Sequence, residues 1–99
     1  LGRAREFEQY LRGLLADRPD DADARIALAR ALAARGEAAE AIEELKRARE
    51  RAPDNLEVRG ALGRLLLAEG RGEEMAPEYG ELIDALERQG LLREREKLT

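Results

Sequence analysis

The chain has 99 residues, enough for one small domain or a piece of a larger protein, and a formal net charge of −4. It has no Cys, no His, no Ser and one Thr at the last position, so the usual nucleophiles, the commonest general base and zinc's nitrogen and sulfur ligands are missing. The acidic balance argues against nucleic acid, which demands a basic face, and the longest apolar run, residues 65 to 68, is far too short to span a bilayer.

Carboxylates alone could run acid–base chemistry or hold a hard cation, but only by converging on one cleft. The alternating charges of this chain argue against that, so no enzymatic activity, cofactor or metal is expected. Lack of Cys is compatible with any compartment, which leaves localisation open with the cytoplasm as default. The first residue is Leu1 rather than Met, which points to an excised fragment. Ala, Leu, Arg and Glu dominate, and the only β-branched residues are Ile26, Ile42, Val58, Ile83 and Thr99. Unbranched side chains lose little rotamer freedom in a helix, so the expected fold is all-α. With three aromatics in the chain, its core must be aliphatic.

The first element spans 3–18, with Phe7 and Leu11 ahead of Pro19. From about Asp23 to Arg35, Arg25, Leu28 and Leu32 recur at helical spacing, and Gly36 supplies a positive-φ stop. A second helix follows from about Ala38 to Ala52, with Ala41, Ile42, Leu45 and Ala48 on one face. On its other face Glu43 stands four before Arg47, and Lys46 four before Glu50, as exposed pairs. Pro53 ends it, and Asp54 or Asn55 can cap what comes next.

The sequence then repeats itself at a shift of 34 residues: Arg25, Leu28, Arg30, Leu32 and Gly36 meet Arg59, Leu62, Arg64, Leu66 and Gly70. The same shift pairs Leu11 with Leu45 and Pro19 with Pro53. Identity fails after Gly70, where Gly72, Pro77 and Gly80 replace Ala38, Glu43 and Lys46. The second helix of this unit is therefore expected to start late, near Glu73 or Glu74, with Pro77 in its first turn, where a missing N–H costs little. Two readings of the change are open: a decayed terminal repeat, or a bent helix that shapes a binding edge near Met75 and Tyr79. The tail QGLLREREKLT reads either as a last helix over 91–98, with Leu91, Leu92 and Leu98 covering an open end, or as a frayed terminus.

A helix–turn–helix unit of 34 residues resembles the tetratricopeptide repeat, whose pattern is W-x2-L-G-x2-Y, then A-x3-F, then P. Leu28 takes the Leu site, Ala29 the small site, Leu32 the Tyr site, Ala41 and Leu45 the A-x3-F pair, and Pro53 the Pro. Arg25 departs from the pattern, standing where Trp would be. In the next unit Leu62, Gly63 and Leu66 match, whereas Met75 and Tyr79 replace the Ala and Phe. The resemblance implies antiparallel helical hairpins stacked as a right-handed α-solenoid. Its parts would be the second helix of a truncated repeat (3–18), a full repeat (22–55), a divergent repeat (56–89) and a capping helix (91–98). Ala29 should face Ala41, letting Leu28, Leu32 and Leu45 interlock. Phe7, Tyr10 and Leu14 would form an exposed apolar edge.

The same resemblance implies a function. Such arrays hold a peptide or helix of a partner on a concave wall formed by the first helix of each repeat. The positions carried onto that wall are Asp23, Ile26, Arg30 and Ala33, then Glu57, Gly60, Arg64 and Leu67. Arg30 and Arg64 fall side by side, and two guanidiniums repel unless an anion bridges them. Asp23 and Glu57 are the internal candidates; an acidic group of a partner is the external one. A subset of the family clamps chaperone C-termini with Lys and Asn. The corresponding positions here are Ile26, Arg30, Ala61, Leu91 and Arg95, and only Arg95 is basic in the expected place, which argues against that clamp. The alternative function is self-association, as a homodimer or by docking onto the rest of the parent chain.

Overall fold

The computed structural model describes residues 2–90 and is all-α over them: α1 (Gly2–Asp17), α2 (Ala22–Ala34), α3 (Ala38–Arg51), α4 (Leu56–Ala68) and α5 (Gly72–Arg88). The expected capping helix lies outside the described residues.

Local sequence accounts for most of these boundaries. Asp21 caps α2 by accepting the Ala24 N–H at 3.0 Å, and Asn55 caps α4 by accepting the Val58 N–H at 3.1 Å. The two caps are one repeat apart. Gly36 and Gly70 sit at φ +88° and +72°, and the next residues close each helix end, with Glu37 N–H donating to the Leu32 carbonyl and Arg71 N–H to the Leu66 carbonyl, both at 2.8 Å. That is a left-handed stop, which only glycine adopts without strain. Each glycine turns the chain back, so α3 packs along α2 and α5 along α4 as two hairpins. The hairpins stack through α3 on α4, and α1 lies on α2 as α3 lies on α4.

The core runs through this stack as one aliphatic layer. Leu11 and Leu15 of α1 join Leu28 and Leu32 of α2, Ile42 and Leu45 of α3, and Val58, Leu62 and Leu66 of α4. Ala29 and Ala41 are both buried, consistent with close helix approach where side chains are small. Each hairpin leaves an apolar face that only a neighbour covers, which is why the units stack.

Two expectations change. First, α5 starts on time: it opens at Gly72, the counterpart of Ala38, not at Glu73 or Glu74. The Arg71 carbonyl accepts the N–H groups of Glu74 and Met75, both at 3.1 Å, and the Arg71 side chain binds the Glu74 carboxylate, with Nη2 at 2.6 Å from Oε1. Pro77 is consequently the sixth residue of the helix, beyond the first turn. Its missing N–H leaves the Glu73 carbonyl without a helical partner, and both residues are exposed, so water can serve that oxygen. Second, the exposed pairs of α3 are spaced differently. Arg47 binds Glu44 at 2.8 Å rather than Glu43, and Lys46 lies 3.9 Å from Glu43 and 3.4 Å from Glu74 on α5 rather than near Glu50. Both α3 and α5 pack on α4, which brings Glu74 within reach of the lysine, a contact that no one-helix pattern contains.

Candidate partner-binding groove

Two troughs open side by side along α4. The first, about 300 Å³, lies between α2 and α4, with Leu45 of α3 reaching it from behind. Ile26, Ala29, Ala33, Ala61, Leu65 and Ala68 give it an apolar lining, and Arg30 and Arg64 stand on it. The second, about 250 Å³, lies between α4 and α5 and is bounded by Gly60, Gly63, Leu67, Met75, Tyr79 and Leu82 with Arg59, Arg64 and Glu78.

The residues expected on the wall divide accordingly. Ile26, Arg30, Ala33 and Arg64 meet in the first trough, and Gly60, Arg64 and Leu67 in the second. Asp23 and Glu57 line neither. Arg95 lies outside the described residues. Leu67 is 60% exposed, whereas Leu62 and Leu66 of the same helix are sealed in the core. The wall expected from the sequence lacks Ala29, Leu45, Ala61, Leu65 and Ala68, all of which line the first trough. Ala61, Leu65 and Ala68 follow each other at helical spacing on α4, and that apolar flank was the available signal.

The two arginines differ from most others in the chain. Arg12, Arg25, Arg35, Arg47, Arg49, Arg51, Arg59, Arg71 and Arg88 all bind carboxylates. Among the described residues Arg30 and Arg64 form no ion pair, and neither do Asp23 and Glu57, so the internal bridge is not made. Arg64 lies back over Gly60: a Cβ there would come within 3.3 Å of its Nη1. A glycine at this position thus lets a guanidinium rest on the helix surface beside the trough.

A different pair of arginines holds the wall in place. Arg25 donates to the Pro19 carbonyl at 3.3 Å and to Glu44 of α3 at 2.9 Å. Its counterpart Arg59 donates to the Pro53 carbonyl at 2.6 Å and to Glu81 of α5 at 2.5 Å. Each arginine therefore ties the preceding proline loop to the second helix of its own hairpin. The residue that departs from the Trp of the family pattern is a guanidinium clasp here, and its recurrence 34 residues on was the visible sign of it. Exposed ion pairs follow the same register. Arg12–Glu40 at 2.9 Å matches Lys46–Glu74 at 3.4 Å.

At the other end of α2, Arg35 grips Glu8 of α1 with two bonds of 2.6 and 3.1 Å. The hydrogen bond from Arg35 holds the Glu8 carboxyl below the usual carboxylate range, against the opposing effect of desolvation, and raises the arginine in turn. Glu74 is likewise lowered by its bond from Arg71. These are structural pairs; none faces either trough. Among the described residues no group of three or more carboxylates gathers as a metal site, and no helix is long and apolar enough to cross a membrane.

Stacked antiparallel hairpins, closed by positive-φ glycines and bordered by apolar troughs, define an α-hairpin repeat protein. A family model described as tetratricopeptide repeat matches residues 2–54 and again 32–74, and the chain belongs to that family. Its repeats are, as a rule, protein–protein interaction modules. No curated protein matches the sequence.

Proposed function

We propose that the trough between α2 and α4 is a non-catalytic groove that holds a peptide or helix of a partner, with Arg30 and Arg64 gripping an acidic group. The observation that carries this reading is the pair itself: two guanidiniums on one apolar cavity, unbridged by any carboxylate among the described residues. A carboxylate between them would make charge-assisted, bidentate bonds while an adjacent apolar side chain enters the trough. The wall would be formed by the units 22–55 and 56–89, with 3–18 as the second helix of a truncated one.

A labelled peptide, Gly-Leu-Glu-Ala-Ala-Leu-Gly with blocked ends, tests the reading by fluorescence anisotropy. Exchanging its Glu for Gln, or making Arg30→Ala with Arg64→Ala, is expected to weaken binding about tenfold each, the worth of one charge-assisted contact. Affinity that is indifferent to the double substitution removes the groove.

A second reading rests on α1. Phe7 and Tyr10 are 48% and 63% exposed on a helix whose outer side has no neighbour among the described residues, whereas Leu14 packs against the core. That edge suits a second copy of the chain or another part of the parent protein. Light scattering across a concentration series distinguishes the two, since a strict monomer removes self-association.

A further inference from the structure

The α4 wall of the second trough is the α2 wall of the first moved on by a repeat, with α5 instead of a further first helix opposite it. A shift of 34 carries Ile26 to Gly60, Ala29 to Gly63, Arg30 to Arg64 and Ala33 to Leu67. The difference is that two glycines replace Ile26 and Ala29, which opens its floor. A Cβ built on Gly63 meets nothing within 4 Å. Among the described residues the space beside α4 is therefore unfilled, and Leu67 and Met75 give it apolar walls.

Among the described residues, one buried side-chain oxygen bordering this trough accepts no hydrogen bond. The Glu78 side chain is 9% exposed; its Oε1 binds Arg49, and its Oε2 is buried without a hydrogen bond. The repeat register explains how this arises. The counterpart Glu44 has both oxygens occupied, one by Arg25 at 2.9 Å and one by Arg47 at 2.8 Å. Where α3 has Arg47, α5 has Glu81. Arg59 turns its Nη1 to that acid at 2.5 Å and stands 3.8 Å from Glu78 Oε2. A buried carboxylate oxygen left without a donor is costly, and buried polar atoms in folded proteins are nearly always paired.

We infer that the α4–α5 trough is a second subsite, which takes an aromatic side chain with an N–H or O–H from a partner and satisfies Glu78 Oε2 with that donor. The occupant is a Trp or Tyr. An apolar body suits Leu67 and Met75, and a neutral donor suits a trough on which two guanidiniums, Arg59 and Arg64, already disfavour a cation. The inference rests on the groove proposed above, since both subsites share Arg64 and one partner segment would run through them. Neighbouring packed helices lie about 10 Å apart. About three residues of extended chain cover that distance, so the aromatic falls some three positions from the acidic residue.

The test uses the full chain and the blocked peptide Gly-Leu-Glu-Ala-Ala-Trp-Gly. The protein contains no Trp, so all indole emission comes from the peptide. Binding should shift that emission to shorter wavelength. Replacing indole by benzothiophene, the same shape without the N–H, should weaken binding about tenfold by calorimetry, as should Gly63→Leu, which fills the trough while leaving Glu78 and its partner Arg49 intact. Equal affinity for indole and benzothiophene, equal affinity of the Gly63→Leu chain, or no shift at millimolar peptide each overturn the subsite. If Arg30→Ala with Arg64→Ala still weakens binding in those cases, the groove stands and only the subsite falls. Two results assign the trough another occupant and also overturn the inference. One is tighter peptide binding by Leu92→Glu with Leu98→Glu, which places residues 91–99 in it; the other is a mass of two chains in light scattering.

Discussion

Arg25 and Glu44 are joined by a 2.9 Å ion pair whose side chains are 11% and 5% exposed, and the same guanidinium reaches the Pro19 carbonyl. The pair links three pieces of chain, namely the loop before α2, α2 itself and α3. Removing one partner of a buried pair leaves an uncompensated charge, which costs more than the pair contributes. Arg25→Ala is therefore expected to destabilise the fold by about 3 kcal/mol in urea unfolding. Replacing both partners, Arg25→Met with Glu44→Leu, should recover most of that loss. A double substitution as damaging as the single one would show that the loop contact, not the ion pair, is what matters.

Gly36 and Gly63 offer a contrast between two glycines with equally open surroundings. Neither has an atom within 4 Å of a built Cβ, so any effect of a methyl group is conformational rather than steric. Gly36 sits at φ +88°, whereas Gly63 lies within α4. Gly36→Ala should lower stability by about 1 kcal/mol, while Gly63→Ala should raise it by about 0.5–1 kcal/mol through lost unfolded-state freedom. Thermal unfolding followed by circular dichroism reads both signs, and a stabilising Gly36→Ala would contradict the left-handed stop.

The Glu8–Arg35 pair gives stability a pH dependence of known sign. The folded carboxyl titrates below its unfolded value of about 4.3, because Arg35 hydrogen-bonds the charged form. The unfolded chain thus binds the proton first, and the contribution is complete above the unfolded value. It is lost as pH falls through the lower folded value. Unfolding midpoints measured from pH 7 to pH 2 should fall on the acid side, and Glu8→Gln should flatten part of that slope while lowering stability at neutral pH. An unchanged acid slope in the variant would show that α1 is not held this way.

Pro77 interrupts the hydrogen bonds of α5 at a solvent-exposed site past its first turn. Pro77→Ala restores one donor and is expected to stabilise the chain by about 1–3 kcal/mol, read as a higher denaturant midpoint. Loss of stability on this change would mean that proline's rigid φ outweighs the missing bond.

Legibility from sequence followed the range of the interactions concerned. The helical composition, the stops at Gly36 and Gly70, the cap at Asn55 and the 34-residue register all rest on groups within a few residues of each other or on direct self-comparison. Each was readable from the chain, and so was the family. The start of α5 lies earlier than local sequence implies: Gly72 and Pro77 are poor helix residues in isolation, but packing of Met75 against the core and the Arg71–Glu74 bond hold that turn helical. Helical spacing pairs Lys46 with Glu50 of its own helix, whereas the folded chain bonds it across to Glu74.

The sequence by itself determined which segments are helices, how they repeat and which residues turn the chain, because those properties reside in backbone preference and periodic apolarity. Tertiary structure alone decided which charges are satisfied. Glu78 and Glu44 occupy the same place in the repeat, but only the packing of α3, α4 and α5 diverts Arg59 to Glu81 and leaves one buried oxygen without a hydrogen-bond donor among the described residues. Arg30 and Arg64 likewise could have met Asp23 and Glu57 on the page of the sequence. The folded helices bring the two arginines to one trough and keep both acids off it, since side chains two turns apart on a helix answer to the neighbouring helix rather than to each other.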